Sequence, residues 1–260
     1  MKPQKFGPLP VLGLTLAAGL AGFILRMLML SLGYDQLGVQ ISGHWTYISL
    51  WALSLVTLAG LAFLSTGMGN RRSAAENLPA SLPAAIGSGI AGGLLFVQCL
   101  IELLGQLEPL DIFDLVVRVL GLVAGGLIVF GGYLRRTGRA SAPAGMAITL
   151  FFALRLVSQF RGWSSDPMLG DYGFSLLACI CTMLAAYYLA GFPLNEGRRR
   201  LCIFFSMAAV FFSCICLADP EGWIMSLSVI LWLLTGGCTL SRPRPPRRRP
   251  GNLPVEENHD

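Results

Sequence analysis

"AGMAITLFFALRLVSQF", residues 144–160, is the stretch that decides how many times this chain crosses a membrane. It has fewer than the roughly 20 residues that cross about 30 Å of hydrocarbon, and it contains Arg155. The whole chain is 54% hydrophobic and 13% charged, whereas about 25% of residues are charged in average soluble domains. This composition predicts a membrane protein, in which the quoted stretch is the least secure span by hydropathy.

Seven further apolar stretches accompany the quoted one. The fold class we predict is therefore an all-α, polytopic transmembrane helix bundle of eight spans within residues 1–241. The first run extends past its small residues with no convincing cleavage site, so we interpret it as a retained helix and not as a signal peptide. The predicted spans are Leu9 to Gly33, Trp45 to Ser65, Leu82 to Leu104, Asp111 to Tyr133, Ala144 to Phe160, Tyr172 to Ala190, Leu201 to Leu217, and Trp223 to Leu240.

The positive charges indicate how the bundle is oriented. With eight spans, fifteen of the 19 Lys and Arg residues fall in loops and termini on one side. The opposite loops hold Arg161, and Arg26, Arg118 and Arg155 lie within spans. The positive-inside rule then predicts that both termini are cytoplasmic, in a bacterial cytoplasmic membrane. Without the fifth span the basic residues 198–200 and the tail would be exported, which argues that the span exists.

The tail, residues 242–260, is basic and proline-rich and then acidic, so we expect it to be extended or disordered. Anionic inner-leaflet lipid would attract each of its arginines by about 1 kcal/mol. Alternatively, these arginines serve only to fix the orientation. A nucleic-acid partner is not expected, because the net charge of +5 is spread over loops and does not form a folded basic face. The predicted partner is the lipid bilayer.

Catalytic and metal-binding patterns are absent from the sequence. His44 and Ser88 fall near opposite ends of spans, so they cannot act together. No H-E-x-x-H stretch or Walker-type glycine loop occurs. "DIFD", residues 111–114, is one candidate for holding a divalent ion with a lipid diphosphate, but a second acidic cluster is lacking. We therefore predict a protein that is not an enzyme and needs no cofactor or metal.

The seven cysteines all lie in predicted spans, where a thiol behaves as a small apolar side chain, so we expect no disulfide framework. Pairs at i,i+2 point about 200° apart on a helix and cannot converge on a metal. The cysteines are Cys99, Cys179, Cys181, Cys202, Cys214, Cys216 and Cys238.

A weak internal duplication favours a 4+4 parallel repeat, an arrangement found in some transporters. "GFILRML", residues 22–28, resembles "FFALRLV", residues 151–157, which aligns Arg26 with Arg155. "FVQCL", residues 96–100, matches "FFSCI", residues 211–215. Chance similarity between apolar stretches is the alternative.

Small residues at i,i+4 predict close packing between the third and fourth spans, which we expect to form the centre of the bundle. They are Ala85, Gly89 and Gly93 on the third span and Gly121 and Gly125 on the fourth.

Three arginines lie at one depth within the predicted outer leaflet. Arg155 is about five residues, or roughly 8 Å, from the outer end of its span, and Arg26 and Arg118 are about seven residues, or roughly 10 Å, from theirs. Polar partners occupy the same layer. The candidate ligand-binding residues are Arg26, Gln98, Glu102, Asp114, Arg118, Arg155 and Gln159.

If the first, fourth and fifth spans are neighbours, these residues form an outward-facing pocket with an excess charge of about +1. Guanidinium groups would bind a small anion, a carboxylate or a lipid headgroup there. Trp163 and Arg161 are candidate lid residues. The alternatives are arginines that snorkel to headgroups, a purely structural ion network, and a capping box in "DIFD". Asp166-Pro167 and Asp219-Pro220 resemble helix-opening caps.

Two functions remain open from the sequence. One is a transporter-like or ligand-binding membrane protein that uses the arginine layer. The other is a non-catalytic scaffold or accessory subunit of a cell-envelope complex, in which the charges are structural.

Overall fold

The computed structural model describes residues 8–33, 44–68, 74–78, 80–105, 111–163, 172–220 and 222–241, and the predicted tail lies outside this range. All regular structure within these ranges is helical. Eight of the helices, all except the four-residue α3, are long and apolar enough to cross a membrane, which confirms the predicted fold class. The helices are α1 (Pro8–Leu32), α2 (Trp45–Thr66), α3 (Ala74–Asn77), α4 (Leu82–Leu104), α5 (Ile112–Arg136), α6 (Ala142–Trp163), α7 (Gly173–Gly191), α8 (Arg199–Cys216) and α9 (Trp223–Ser241).

The stretch that decided the number of spans is helix α6. It has 22 residues, long enough to cross a bilayer, and its bounds lie within three residues of those expected from the sequence. Pro143 lies in its first turn, where the missing N–H is not needed. The described residues therefore have the fold of a multi-pass membrane protein with eight candidate spans.

Helix α8 is the centre of the bundle. It packs against α1, α2, α7 and α9, and 72% of its span is buried, against 22–44% of the other spans. A helix that is apolar on all sides is expected to be surrounded by other helices. A Cβ atom added at Gly19 or Gly22 of α1 would lie 3.1 or 2.8 Å from the side chains of Cys214 or Ile215, so small residues let α1 pack closely on α8. The prediction that the third and fourth spans form the centre is therefore wrong.

Those two spans, α4 and α5, nevertheless form the most extensive helix pair of the bundle. A Cβ atom at Gly92 would lie 2.5 Å from the carbonyl oxygen of Gly125, so the backbones touch. Gly93, which the sequence pattern placed in the contact, is exposed, and a Cβ atom added there would meet nothing within 4 Å. The predicted pairing of these two helices is confirmed, but α4 contacts α5 through Gly92 and not through the adjacent Gly93.

The two ends of the bundle differ in charge. At one end, which we call the acidic end, α1, α4, α6 and α8 finish, and Asp111 and Asp219 lie in the connections. The opposite end, the basic end, carries Arg135, Arg199 and Arg200. The 4+4 repeat and the cytoplasmic position of the termini stay predictions. Helix α4 packs mainly on α5 and α9, unlike its proposed counterpart α8.

Arginines at the start of α8 bind backbone carbonyls at or just beyond the ends of two helices that pack on α8, namely α9 and α2. Arg199 donates from Nε and Nη2 to the carbonyl oxygen of Leu240, at 2.9 and 2.6 Å, near the end of α9. Arg200 donates from Nε to the carbonyl oxygen of Met68 just beyond α2, at 2.6 Å. The last carbonyls of a helix lack intrahelical donors, and a cation there also complements the helix dipole. These residues thus hold helix ends together in addition to their predicted topological role.

We expect Arg199→Met to lower the free energy of unfolding by about 1.5–3 kcal/mol, the usual worth of hydrogen bonds to charged groups. The side chain is buried, and its loss leaves the Leu240 carbonyl without its charged donor. Denaturant titration of the purified protein in detergent measures the change. Arg198→Met is the matched control, because Arg198 is exposed, and it should shift stability by less than about 0.5 kcal/mol. Equal losses in both variants would contradict the capping role.

Candidate binding cavity at the acidic end

Glu102 is the hub of an ion pair between α4 and α6. Arg155 donates from Nη1 to Oε2 at 3.1 Å and from Nη2 to Oε1 at 3.0 Å, in a two-pronged geometry that matches a guanidinium to a carboxylate. Gln98 lies one turn earlier on α4 and donates from Nε2 to Oε1 at 2.8 Å. The predicted shared face of Gln98 and Glu102 is thus observed, and Arg155 reaches it from another helix.

Arg118 binds the backbone at this point and not the carboxylate. Its Nη1 donates to the carbonyl oxygen of Glu102, one of the last four carbonyls of α4. Since Arg118 belongs to α5, this contact ties the end of α4 to its closest partner helix.

Asp114 and Asp111 make contacts with α6 and do not form a capping box. Asp114 accepts a hydrogen bond from Ser158 Oγ at 2.6 Å. Asp111 precedes α5 but makes no side-chain cap hydrogen bond. Its Oδ2 instead accepts from Arg161 Nη2 at 2.8 Å, in a pair that is more than half exposed, and Arg161 also lies over the Phe113 ring. The side chain of Trp163, the other proposed lid residue, lies outside the described residues.

Arg26 pairs with a residue that the sequence did not place in the site. Its Nε and Nη2 both lie 2.9 Å from Oδ1 of Asp219, in the turn after α8. Helix α1 packs on α2 and α8, so it is not packed beside α5 or α6, and the expectation that the three arginine-bearing spans are mutual neighbours is wrong. Asp219 does not open a helix as proposed, because α9 begins only at Trp223.

A cavity of about 450 Å³ lies among α4, α6, α7, α8 and α9 and reaches the α8–α9 connection at the acidic end. This volume falls in the range of about 300–1,000 Å³ typical of small-molecule sites. Its lining combines charged, amide, hydroxyl, thiol and apolar side chains. The main polar ones are Gln98, Glu102, Arg155, Gln159, Ser175, Cys179, Thr182, Ser213, Cys216, Asp219 and Ser226.

Four of the seven candidate residues line this cavity, namely Gln98, Glu102, Arg155 and Gln159. The other three are Arg26, Arg118 and Asp114. Arg26 is linked to the cavity through Asp219, and Arg118 through the backbone of Glu102.

The charge of the lining differs from the expected excess of +1. The charged lining residues are Glu102, Arg155 and Asp219, with Arg26 directly behind Asp219. These two ion pairs together are formally neutral.

Two buried polar atoms belong to cavity-lining residues and have no hydrogen-bond partner among the described residues. They are Nε of Arg155, a donor, and Oε1 of Gln159, an acceptor. Leaving such a group unsatisfied costs about 1–3 kcal/mol, so a small rotation of either side chain toward the cavity would let it bind water or a ligand there.

The α7 wall of the cavity was not predicted from the sequence, although it carries a periodic signal. Ser175, Cys179 and Thr182 follow the i,i+4,i+7 spacing of one helix face. Thr182 donates from Oγ1 to the carbonyl oxygen of Ala178 at 2.7 Å, so its oxygen lone pairs remain as acceptors.

A functional assignment for this chain rests on the geometry of this cavity, because comparisons with known proteins found no match. No family model matches the chain, and neither a curated protein nor a solved structure does.

Proposed function

We propose that this chain is a non-catalytic ligand-binding protein of a bacterial cytoplasmic membrane, which takes a small polar solute into the acidic-end cavity. The observation that carries the proposal is the cavity of about 450 Å³ whose wall includes both members of the Glu102–Arg155 ion pair. Charged side chains within membrane spans cost about 2.5–3.5 kcal/mol each at the helix centre, and they often mark solute pathways.

The cavity is what favours binding over a structural role for these charges. An ion network that only held helices together would be stable with its polar groups packed against one another. Here the Gln159 amide oxygen and the Arg155 Nε–H lack partners in the described part of the chain, and several hydroxyl groups share the same wall. Such convergent polar groups in a largely preformed cavity are typical of ligand sites.

The native cysteines allow a direct test of whether the cavity is open to water. Cys179 of α7 and Cys216 of α8 line it, whereas Cys202 lies at the basic end of α8 and does not. We would keep one of these thiols at a time, replace the other six with alanine, and add a membrane-impermeant methanethiosulfonate to intact cells. We expect slow modification of Cys179 and Cys216, which line the cavity and are 5% and 6% exposed, and none of Cys202, which is fully buried, because thiol reaction requires solvent access.

The outcomes separate the possible functions. Folded protein in which neither Cys179 nor Cys216 reacts would overturn the binding function and leave a sealed structural network. Reaction from the outer side alone indicates a binding protein that opens to one side. Reaction of the same thiols from both sides, using inverted vesicles for the second, would extend the proposal to transport.

A further inference from the structure

The carboxylate is the more exposed member of each ion pair at the cavity. The side chain of Glu102 is 24% exposed and that of Arg155 is 12% exposed. In the second pair, Asp219 is 23% exposed and Arg26 is 5% exposed. Asp219 also lines the cavity, and Arg26 lies behind it. By this measure each carboxylate is more accessible to a solute than the arginine that pairs with it.

Each arginine already forms an ion pair with one of these carboxylates. Both Nη atoms of Arg155 bind Glu102, and two guanidinium nitrogens of Arg26 share Oδ1 of Asp219. A carboxylate has about four lone-pair positions, and Arg155 and Gln98 occupy three of those on Glu102. An anionic solute could bind only N–H groups of guanidinium ions that are already neutralised by a carboxylate, whereas a cationic donor adds a bond at the free lone-pair position of Glu102.

The neutral part of the lining also contains acceptors. Gln159 presents a buried amide oxygen with no partner in the described structure, and the Thr182 hydroxyl has already donated its hydrogen to the backbone. A primary ammonium group carries three donors and one positive charge, which suits two carboxylates and such acceptors.

We propose that the solute of this cavity carries a protonated primary amine, which the carboxylates of Glu102 and Asp219 bind. The assignment rests on the proposed function and replaces the anionic ligand expected from the three arginines. Thr182 and Gln159 accept further hydrogen bonds from the solute, and the Arg155 Nε–H binds an acceptor group on it. The ligand class is thus a small amine that also bears a hydroxyl, carbonyl or carboxylate oxygen.

Three probes with one carbon skeleton test this assignment: 4-aminobutan-1-ol, 1,4-butanediol and 4-hydroxybutyrate. At pH 7 they are a cation, a neutral diol and an anion. Their apparent dissociation constants come from the slowing of Cys216 modification, in a chain that keeps only that thiol. We expect the amine to bind at least about tenfold more tightly than the hydroxy acid, because like charges oppose entry of the anion.

Variants test whether the carboxylates cause the preference for the amine probe. Asp219→Asn should weaken the amine about tenfold or more and leave the diol unchanged, since charge is removed without a change of shape. Thr182→Val removes an acceptor without altering either ion pair and should weaken binding of the amine about threefold. This second variant keeps the test decisive if Asp219→Asn does not fold. Asp111→Asn is the control, because this acid lies at the same end but does not line the cavity.

A preference for the diol or the hydroxy acid, or no protection by any of the three probes, overturns the amine assignment. An Asp111→Asn effect as large as that of Asp219→Asn overturns it as well. The proposed function fails by a different result, namely no modification of Cys179 and Cys216 by the impermeant reagent.

Discussion

Replacing Glu102 with alanine is expected to lower the free energy of unfolding by about 3 kcal/mol, the lower end of the usual cost of breaking a buried ion pair from one side, because this pair is mostly but not fully buried. The change leaves the Arg155 guanidinium buried and without the carboxylate that accepts two of its hydrogen bonds. A guanidinium cannot escape this cost by losing its proton. Denaturant titration of the purified protein in detergent measures the loss.

The chain supplies a matched control for this prediction. Asp111 pairs with Arg161 at the same end of the bundle, but both side chains are more than half exposed. Asp111→Ala should therefore cost only about 0–1 kcal/mol. The double variant Glu102→Met with Arg155→Met should recover most of the loss, because it removes both buried charges. Equal effects of Glu102→Ala and Asp111→Ala would show that the Glu102 pair is as well hydrated as a surface pair.

The eight spans could be predicted from sequence because span formation is a property of single segments. Length, hydropathy and the distribution of arginines identified α6 despite Arg155, and its observed bounds differ by at most three residues. The neighbours of each helix were less predictable. They depend on which helix faces fit together, as when α1 packs on α8 and not beside α5 or α6.

The candidate site was also predictable only in part: contacts within one helix could be predicted, and contacts between distant segments could not. Gln98 and Glu102 could be paired from the i,i+4 spacing alone. Asp219 resembled a local helix cap because a proline follows it, and local spacing contains no information about a partner 193 residues away. The proposed repeat stays a prediction, but its alignment parallels the two observed ion pairs. It aligns Arg26 with Arg155 and α8 with α4. Arg26 binds Asp219 just beyond the end of α8, and Arg155 binds Glu102 near the end of α4.

The orientation of α4 about its own axis places Gln98 and Glu102 beside Arg155. Substitutions at two adjacent glycines test this orientation. A Cβ at Gly92 would lie 2.5 Å from the carbonyl oxygen of Gly125 and 2.8 Å from the backbone nitrogen of Val129. Backbone atoms cannot move aside unless α4 and α5 separate. We therefore expect Gly92→Leu to lower the free energy of unfolding by at least about 3 kcal/mol, at or beyond the upper end of ordinary overpacking.

Gly93→Leu is the matched control, since the same side chain would extend from an exposed position. It should be neutral or stabilise by up to about 1 kcal/mol, because glycine is a poor helix former. Thermal unfolding in detergent compares the two variants. The reverse order, with Gly93 sensitive and Gly92 tolerant, would turn α4 by about 100° toward the face expected from Ala85, Gly89 and Gly93. Such a turn would carry Glu102 away from Arg155, so the same measurement also tests the wall of the binding cavity.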